Sequence, residues 1–172
     1  MTRKVAIILI GLILIASSAF ASPDLSVIST YSSSSWLPGD INIATCKMVD
    51  DYLADYYFAV VFDGEKAQNR KDLGRKISQA DGSYVVSVEL RSFYDPPYTK
   101  ARLASDIKPT DTVATLLMDY SLYNAVSDQW VTGRIIQRSV FRDAAVPLDT
   151  ACYEVVKQAI PKLSDQLNLD MK

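Results

Sequence analysis

The 172-residue sequence contains no histidine, and that one absence removes several chemistries together. It takes away the usual general base near neutrality, the Ser-His-Asp and Cys-His nucleophile systems and the imidazole ligands of zinc. With only two cysteines, Cys46 and Cys152, a zinc site would have to be built almost wholly from carboxylates, a rare donor set for that ion. No metal and no cofactor is therefore expected. Sequons of the form N-x-S/T are missing as well. Charge of one sign is not in excess, since 18 Lys plus Arg stand against 20 Asp plus Glu for a net charge of −2. Phosphate binding needs a concentrated basic face, so nucleic acid is not expected as a main partner. There is no internal repeat, and the only low-complexity tract is Ser32 to Ser35.

Long apolar runs are absent except at the start. Arg3 and Lys4 precede the apolar stretch Val5 to Ala16, and residues 17–21 are small apart from Phe20. This is the three-part pattern of a secretory signal peptide. Ala19 and Ala21 supply the small-residue pair that a signal peptidase requires, and Pro23 discourages helix across the site. An uncleaved anchor is the alternative, but residues 17–21 are too polar and small for a hydrocarbon core. No cysteine lies near the cleavage point, so a lipid anchor is not indicated. The expectation is a signal peptide over 1–21, a single domain over 22–172, export to the periplasm or beyond, and no stable membrane insertion after cleavage. Losing residues 1–21 removes two basic and no acidic residues, leaving a net charge of −4. In an oxidising compartment Cys46 and Cys152 are disulfide candidates; a bridge closing a loop of about 105 residues would contribute about 4–5 kcal/mol in the loop-entropy model. The alternative is two small buried hydrophobes.

Periodicity then divides the chain. "LSVIST" (25–30) leans to strand, and "YSSSSWLPGD" is loop chemistry in which Asp40 is placed to cap the helix that follows. In that helix Ile41, Thr45, Met48, Tyr52 and Tyr56 share one face, with Val49 and Leu53 beside them. "YFAVVFD" (57–63) reads as a strand covered on both faces, and 66–80 as a short polar helix with Leu73 and Ile77 inward. From 84 to 91, Tyr84, Val86, Val88 and Leu90 alternate with a more polar set, so the sheet has one oily and one wetter face. Residues 94–110 form a long connection with three prolines and three basic residues, a length usual for functional or disordered segments. Beyond it, Ala114, Leu116, Met118, Tyr120 and Leu122 must share a face with Val131, Ile135 and Phe141 of the next strand. Even positions then face odd ones, and the pairing sets Asp119 against Arg134 and Tyr123 against Trp130, with a loop around Ala125 to Asp128. A last helix opens at Pro147 and Asp149, and Pro161 should kink or divide it. The fold class is α+β: a mixed sheet in β-α-β-α-β-β-β-α order, helices mainly on one face, with a C-terminal antiparallel hairpin followed by a helix.

Several residues are candidates for chemistry or contact. Tyr94, Pro96, Pro97 and Tyr98, with Lys100 and Arg102 close by, form a stiff aromatic knuckle suited to docking on a partner; the alternative is a loop that buries its tyrosines. Tyr123 and Trp130 form a second aromatic spot on the outer sheet face. Asp50, Asp51 and Asp55 lack the alternating ligands of a calcium loop and read as a solvated face. Asp119 with Arg134 and Arg138 would hold an anion or pair across strands, and Glu89 with Asp119 is the one carboxylate pair worth testing for hydrolysis.

Two stretches carry a family resemblance: "QADGSYVVSVELRSF", a helix end, turn and strand, and "LLMDYSLYNAVSDQWVTGRIIQ", a strand, hairpin and strand. In these, and in the final helix, the chain resembles bacterial envelope accessory proteins with the α/β sandwich of the TolB amino-terminal domain and of CsgG, a curli-secretion lipoprotein. Val126-Ser127-Asp128 stand where Thr-Gly is usual at the hairpin tip. The resemblance implies scaffolding and binding roles, with envelope proteins as partners and no catalytic residues. The expectation is an exported, non-enzymatic binding or assembly module of the bacterial cell envelope, acting through the outer sheet face and the 94–110 loop. The alternatives are a histidine-free hydrolase using Asp and Glu carboxylates, and a structural homo-oligomer.

Overall fold

The computed structural model describes residues 25–61, 83–97 and 107–172. Its elements are β1 (Leu25–Ser32), α1 (Gly39–Tyr57), β2 (Val60–Val61), β3 (Tyr84–Asp95), β4 (Thr112–Asn124), β5 (Gln129–Phe141) and α2 (Leu148–Asp170). The five strands form one mixed sheet in the order β2-β1-β3-β4-β5. β1 runs parallel to β2 and β3, and the pairings β3–β4 and β4–β5 are antiparallel. The α+β class, the C-terminal hairpin and the helix after it are as the sequence predicts; the helix expected over 66–80 lies outside the described residues.

Alternation builds the core on one side of this sheet. Val86, Val88 and Leu90 of β3 and Ala114, Leu116, Met118 and Leu122 of β4 are buried against Val49 and Leu53 of α1 and Val156, Ile160, Leu163 and Leu167 of α2. Four tyrosine hydroxyls then lock the layers. Tyr57 meets Ser164 O at 3.0 Å, Ser164 Oγ at 3.2 Å and Asn168 Oδ1 at 3.1 Å, joining the two helices. Tyr84 donates to Met171 O (2.9 Å), Tyr120 to Asp170 Oδ2 (2.5 Å) and Tyr94 to Val146 O (2.7 Å), pinning both ends of α2 to the sheet.

The hairpin register is the expected one: Asp119 faces Arg134, Tyr123 faces Trp130, and the turn occupies 125–128. Four expectations need correction. Asp40 lies in the first turn of α1 and makes no capping bond, Pro38 being the N-cap; its charge still suits the positive end of the helix. The buried row of α1 is Ile41, Thr45, Val49, Leu53 and Tyr57, so Met48 and Tyr52 are only half-buried and Tyr56 is exposed. The cause is Tyr57, which belongs to the helix because its hydroxyl is captured by α2. The run "YFAVVFD" is thereby broken: Phe58 is a left-handed helix cap (φ 53°), 85% exposed, and the strand starts only at β2 (Val60–Val61), the end strand among the described residues, with residues 62 and 63 outside them. Finally, α2 runs undivided through Pro161. Pro161 and Lys157, whose carbonyl loses its helical donor, are both exposed, which puts the missing hydrogen bond on the solvent side.

Candidate functional site: the open sheet face

Opposite the helices, one row of side chains crosses four strands. Tyr31 of β1 is in register with Glu89 of β3, Glu89 with Asp119 of β4, and Asp119 with Arg134 of β5. Tyr31 donates to Glu89 Oε2 at 3.1 Å. Asp119 is gripped from two sides: Arg134 gives Nε to Oδ1 at 2.5 Å and Nη2 to Oδ2 at 3.0 Å, and Arg91 gives Nη2 to Oδ2. The hydrogen bonds from Arg134, followed by those from Arg91, hold the Asp119 carboxyl below the ordinary range against the opposing effect of burial. Burial, then the neighbouring Glu89, pushes the Tyr31 phenol up to about 12. At neutral pH the row therefore holds a fixed anion between two guanidinium groups, with a neutral phenol at its end.

That arrangement bears directly on carboxylate chemistry. Glu89 and Asp119 are indeed cross-strand neighbours. A glycosidase-type pair needs one carboxyl that keeps a proton near neutrality. Asp119, with its pKa lowered and both oxygens engaged by arginines, is suited to bridging charges and unsuited to that acid role. Of the acidic triplet on α1, Asp51 is bonded to Lys47 at 3.0 Å, and among the described residues no group of three or more His, Cys, Asp or Glu could hold a metal ion.

Toward the hairpin tip the same face becomes aromatic. The rings of Tyr123 and Trp130 lie 4.9 Å apart at 40°, and Tyr123 donates to Asp128 Oδ1 at 2.7 Å. Asn124 Oδ1 accepts the amides of Val126 (2.9 Å) and Ser127 (3.1 Å), and Asp128 adopts φ 53°, so the turn is built by its own polar side chains. Val126 is 84% exposed at the tip, Trp130 is 45% exposed, and Ile136, farther along β5, is 59% exposed.

The other expected site residues are spread out. Tyr94 is part of β3, half-buried against the core with its hydroxyl on Val146, so it is held inside the fold. Pro96 is exposed and Pro97 half-buried; Tyr98, Lys100 and Arg102 lie outside the described residues. Cys46 and Cys152 are free thiols, which corrects the disulfide candidate. Cys46 packs against the main core, while Cys152 is fully buried in a separate cluster with Leu37 and Ile41. Burial pushes their thiols up to about 12 and about 11, so neither is an activated nucleophile. Beside Cys46, Thr30, Ser32, Asp50 and Val61 help line a cavity of about 620 Å³ between α1 and the β1–β2 edge.

One polar residue escapes sequence inspection. Asp111, its side chain fully buried, accepts the amides of Lys108 (2.9 Å) and Asp143 (2.9 Å) and Arg142 Nη1 (2.9 Å), and these bonds lower its pKa. It fastens the end of the long connection to the segment between β5 and α2. The turn-forming run "KPTD" was its only signal.

No protein-family model and no curated protein matches the chain. Solved structures do. A neuraminyllactose-binding hemagglutinin homolog from Helicobacter pylori is 12% identical with a TM-score of 0.54, over 88% of this chain and 83% of that one. The hypothetical protein CT253 from Chlamydia trachomatis is 8% identical with a TM-score of 0.50, over 83% and 96%. Lipoprotein GNA1162 from Neisseria meningitidis is 12% identical with a TM-score of 0.45, over 85% and 98%. At such identities the likeness is one of fold. No family match supports the resemblance to the TolB and CsgG sandwich. Among the described residues no helix is long and apolar enough to cross a membrane.

Proposed function

We propose that the chain is an exported, non-enzymatic binding or assembly module of the bacterial cell envelope. In this reading the leader is cut after Ala21, and envelope proteins are engaged through the open sheet face together with the 94–110 connection. One observation carries the reading: on that face Asp119 is held as an ion between Arg91 and Arg134, and farther along the same two strands Tyr123 packs on the exposed Trp130. Fixed charges flanked by exposed aromatics suit protein contact, where Tyr, Trp and Arg are the enriched residues. The histidine-free composition and the fully engaged Asp119 both argue away from hydrolysis.

The test is affinity capture from envelope extracts, run with the protein and with a version whose residues 95–108 are replaced by a short Gly-Ser link. A discrete envelope protein recovered by the first and lost by the second is the expected result. Identical recoveries would overturn the role given to the connection, and no specific recovery would overturn the module. Amino-terminal sequencing of the purified material should begin at Ser22, and light scattering separates a monomeric module from a homo-oligomer.

A further inference from the structure

The two borders of the sheet are unlike. On one side, the described part of β2 is two residues long; on the other, β5 runs 13 residues and pairs with β4 without a bulge from Gln129 to Phe141. Among the described residues no strand pairs with the outer side of β5, and a long, regular border of that kind is a template for another strand, which proteins ordinarily blunt with bulges, prolines or shortness. β5 has no proline. The direction of its free backbone groups follows from the ladder. The bond from Ala125 N to Ser83 O (2.8 Å) continues the β3–β4 ladder and sets odd residues of β4 toward β3, even ones toward β5. Odd residues of β5 then bond to β4, and the amides and carbonyls of Trp130, Thr132, Arg134, Ile136 and Arg138 point outward. Consistently, the carbonyl of Arg138 takes a bond from Gln137 Nε2 at 3.2 Å.

The side chains of those same five residues lie on the open face. Trp130 and Ile136 are exposed apolar groups, and Val126 is exposed at the nearby turn. Charge decides what fits. The outward row of β5 carries Arg134 and Arg138 and no carboxylate, and Arg138 makes no ion pair with a described residue. A second copy of β5 laid antiparallel about Ile135 would set Arg134 diagonally across from both Arg134 and Arg138 of its mate, within reach of long side chains, and like charges so placed repel. An extended segment with acids and apolar residues alternating meets the same border with opposite charge.

The geometry points to β5 as a strand-addition site for an extended acidic segment of a partner protein, whose alternate residues face Trp130, Arg134, Ile136 and Arg138. This rests on the binding-module reading and names the partner's chemistry. The probes are two labelled nonapeptides, Glu-Thr-Ile-Thr-Glu-Val-Thr-Thr-Tyr and the same sequence with both Glu replaced by Lys, titrated by fluorescence anisotropy against protein purified from cells expressing the full sequence. The acidic peptide should bind more tightly than the basic one by about tenfold or more at low salt, given two cross-strand charge contacts. Arg138→Glu should weaken the acidic peptide by about tenfold and strengthen the basic one, a reversal that damage to the fold would not produce. N-methylation of the peptide amides that face β5 should abolish binding, while methylation of the opposite set leaves it in place. Equal binding of both peptides, or indifference to which amides are methylated, overturns strand addition. If neither peptide binds while an envelope protein is still captured by Arg138→Glu, the border is not the site and the module reading stands; if nothing is captured by any version, that reading falls separately.

Discussion

Gly133 offers the sharpest test of the packing. It lies opposite Tyr120 in the β4–β5 register, and a methyl group built on it would come within 2.2 Å of the Tyr120 hydroxyl oxygen and 2.3 Å of the ring carbon bearing it. The ring cannot give way freely, because Tyr120 is 4% exposed and its hydroxyl is bonded to Asp170 at 2.5 Å. Gly133→Ala must therefore displace the ring. Overpacking costs about 1–3 kcal/mol and the loss of a hydrogen bond to a charged group about 1.5–3 kcal/mol, offset by up to about 1 kcal/mol from a less flexible unfolded chain. A net loss of about 2–4 kcal/mol follows, which for a domain of this size lowers Tm by roughly 5–15 °C. Differential scanning calorimetry or urea denaturation reads it directly. Tyr120→Leu removes the obstructing ring, so Gly133→Ala in that background should cost at least about 1.5 kcal/mol less than alone. A Tm within 2 °C of the parent, or costs that simply add in the double variant, would refute the account.

Three further outcomes can be checked. Asp119 and Asp111 both have lowered pKa values, so their stabilisation is present above the unfolded carboxylate value of about 4 and is lost as pH falls below it; the urea midpoint should drop between pH 5 and pH 3, with a shallower drop in Asp119→Asn, and an unchanged slope would count against the Arg91–Asp119–Arg134 lock. On the alkaline side burial raises Tyr31, Tyr57 and Tyr120, so stability should decline as pH rises above about 10, and ultraviolet titration should show part of the ten tyrosines ionising only on unfolding. Both thiols should alkylate completely in denaturant without reductant, yet in the native protein Cys152 should resist a thiol reagent at pH 8 and Cys46 react slowly; a requirement for reductant would reinstate the bridge.

Which features could be read from the sequence follows from the range of the interactions that set them. The β4–β5 register needed only the rule that two oily sets share a side, and that rule placed Asp119 opposite Arg134 and Tyr123 opposite Trp130 without any knowledge of the helices. Gly133 interrupts the oily row of Val131, Ile135 and Phe141, and nothing local says that the Tyr120 ring fills its place. Tyr57 was assigned to a strand for a similar reason. An apolar run has the same local pattern at the end of a buried helix as in a strand, and what settles the matter is a hydroxyl contact with Ser164, 107 positions away. Asp111 is the polar counterpart, its partners lying on two different connections.

The same distinction explains why the face shows up before its partner does. Alternation fixes which side chains reach solvent, so an exposed row of Trp130, Arg134, Ile136 and Arg138 is a consequence of burying Ile135 and Ser139 toward the other side, and requires no functional assumption. Function enters with the departures from what burial alone demands. A border strand under no other pressure would be short, bulged or screened by charges facing inward. β5 instead extends as far as β4 and carries arginines in surplus over the carboxylates that face them. Shortening it would cost little core, because at its tip end Gln129 to Thr132 are all exposed. That the strand keeps these residues in register with Ser121 to Asn124, where little burial rewards them, is the physical reason to seek its partner at that border.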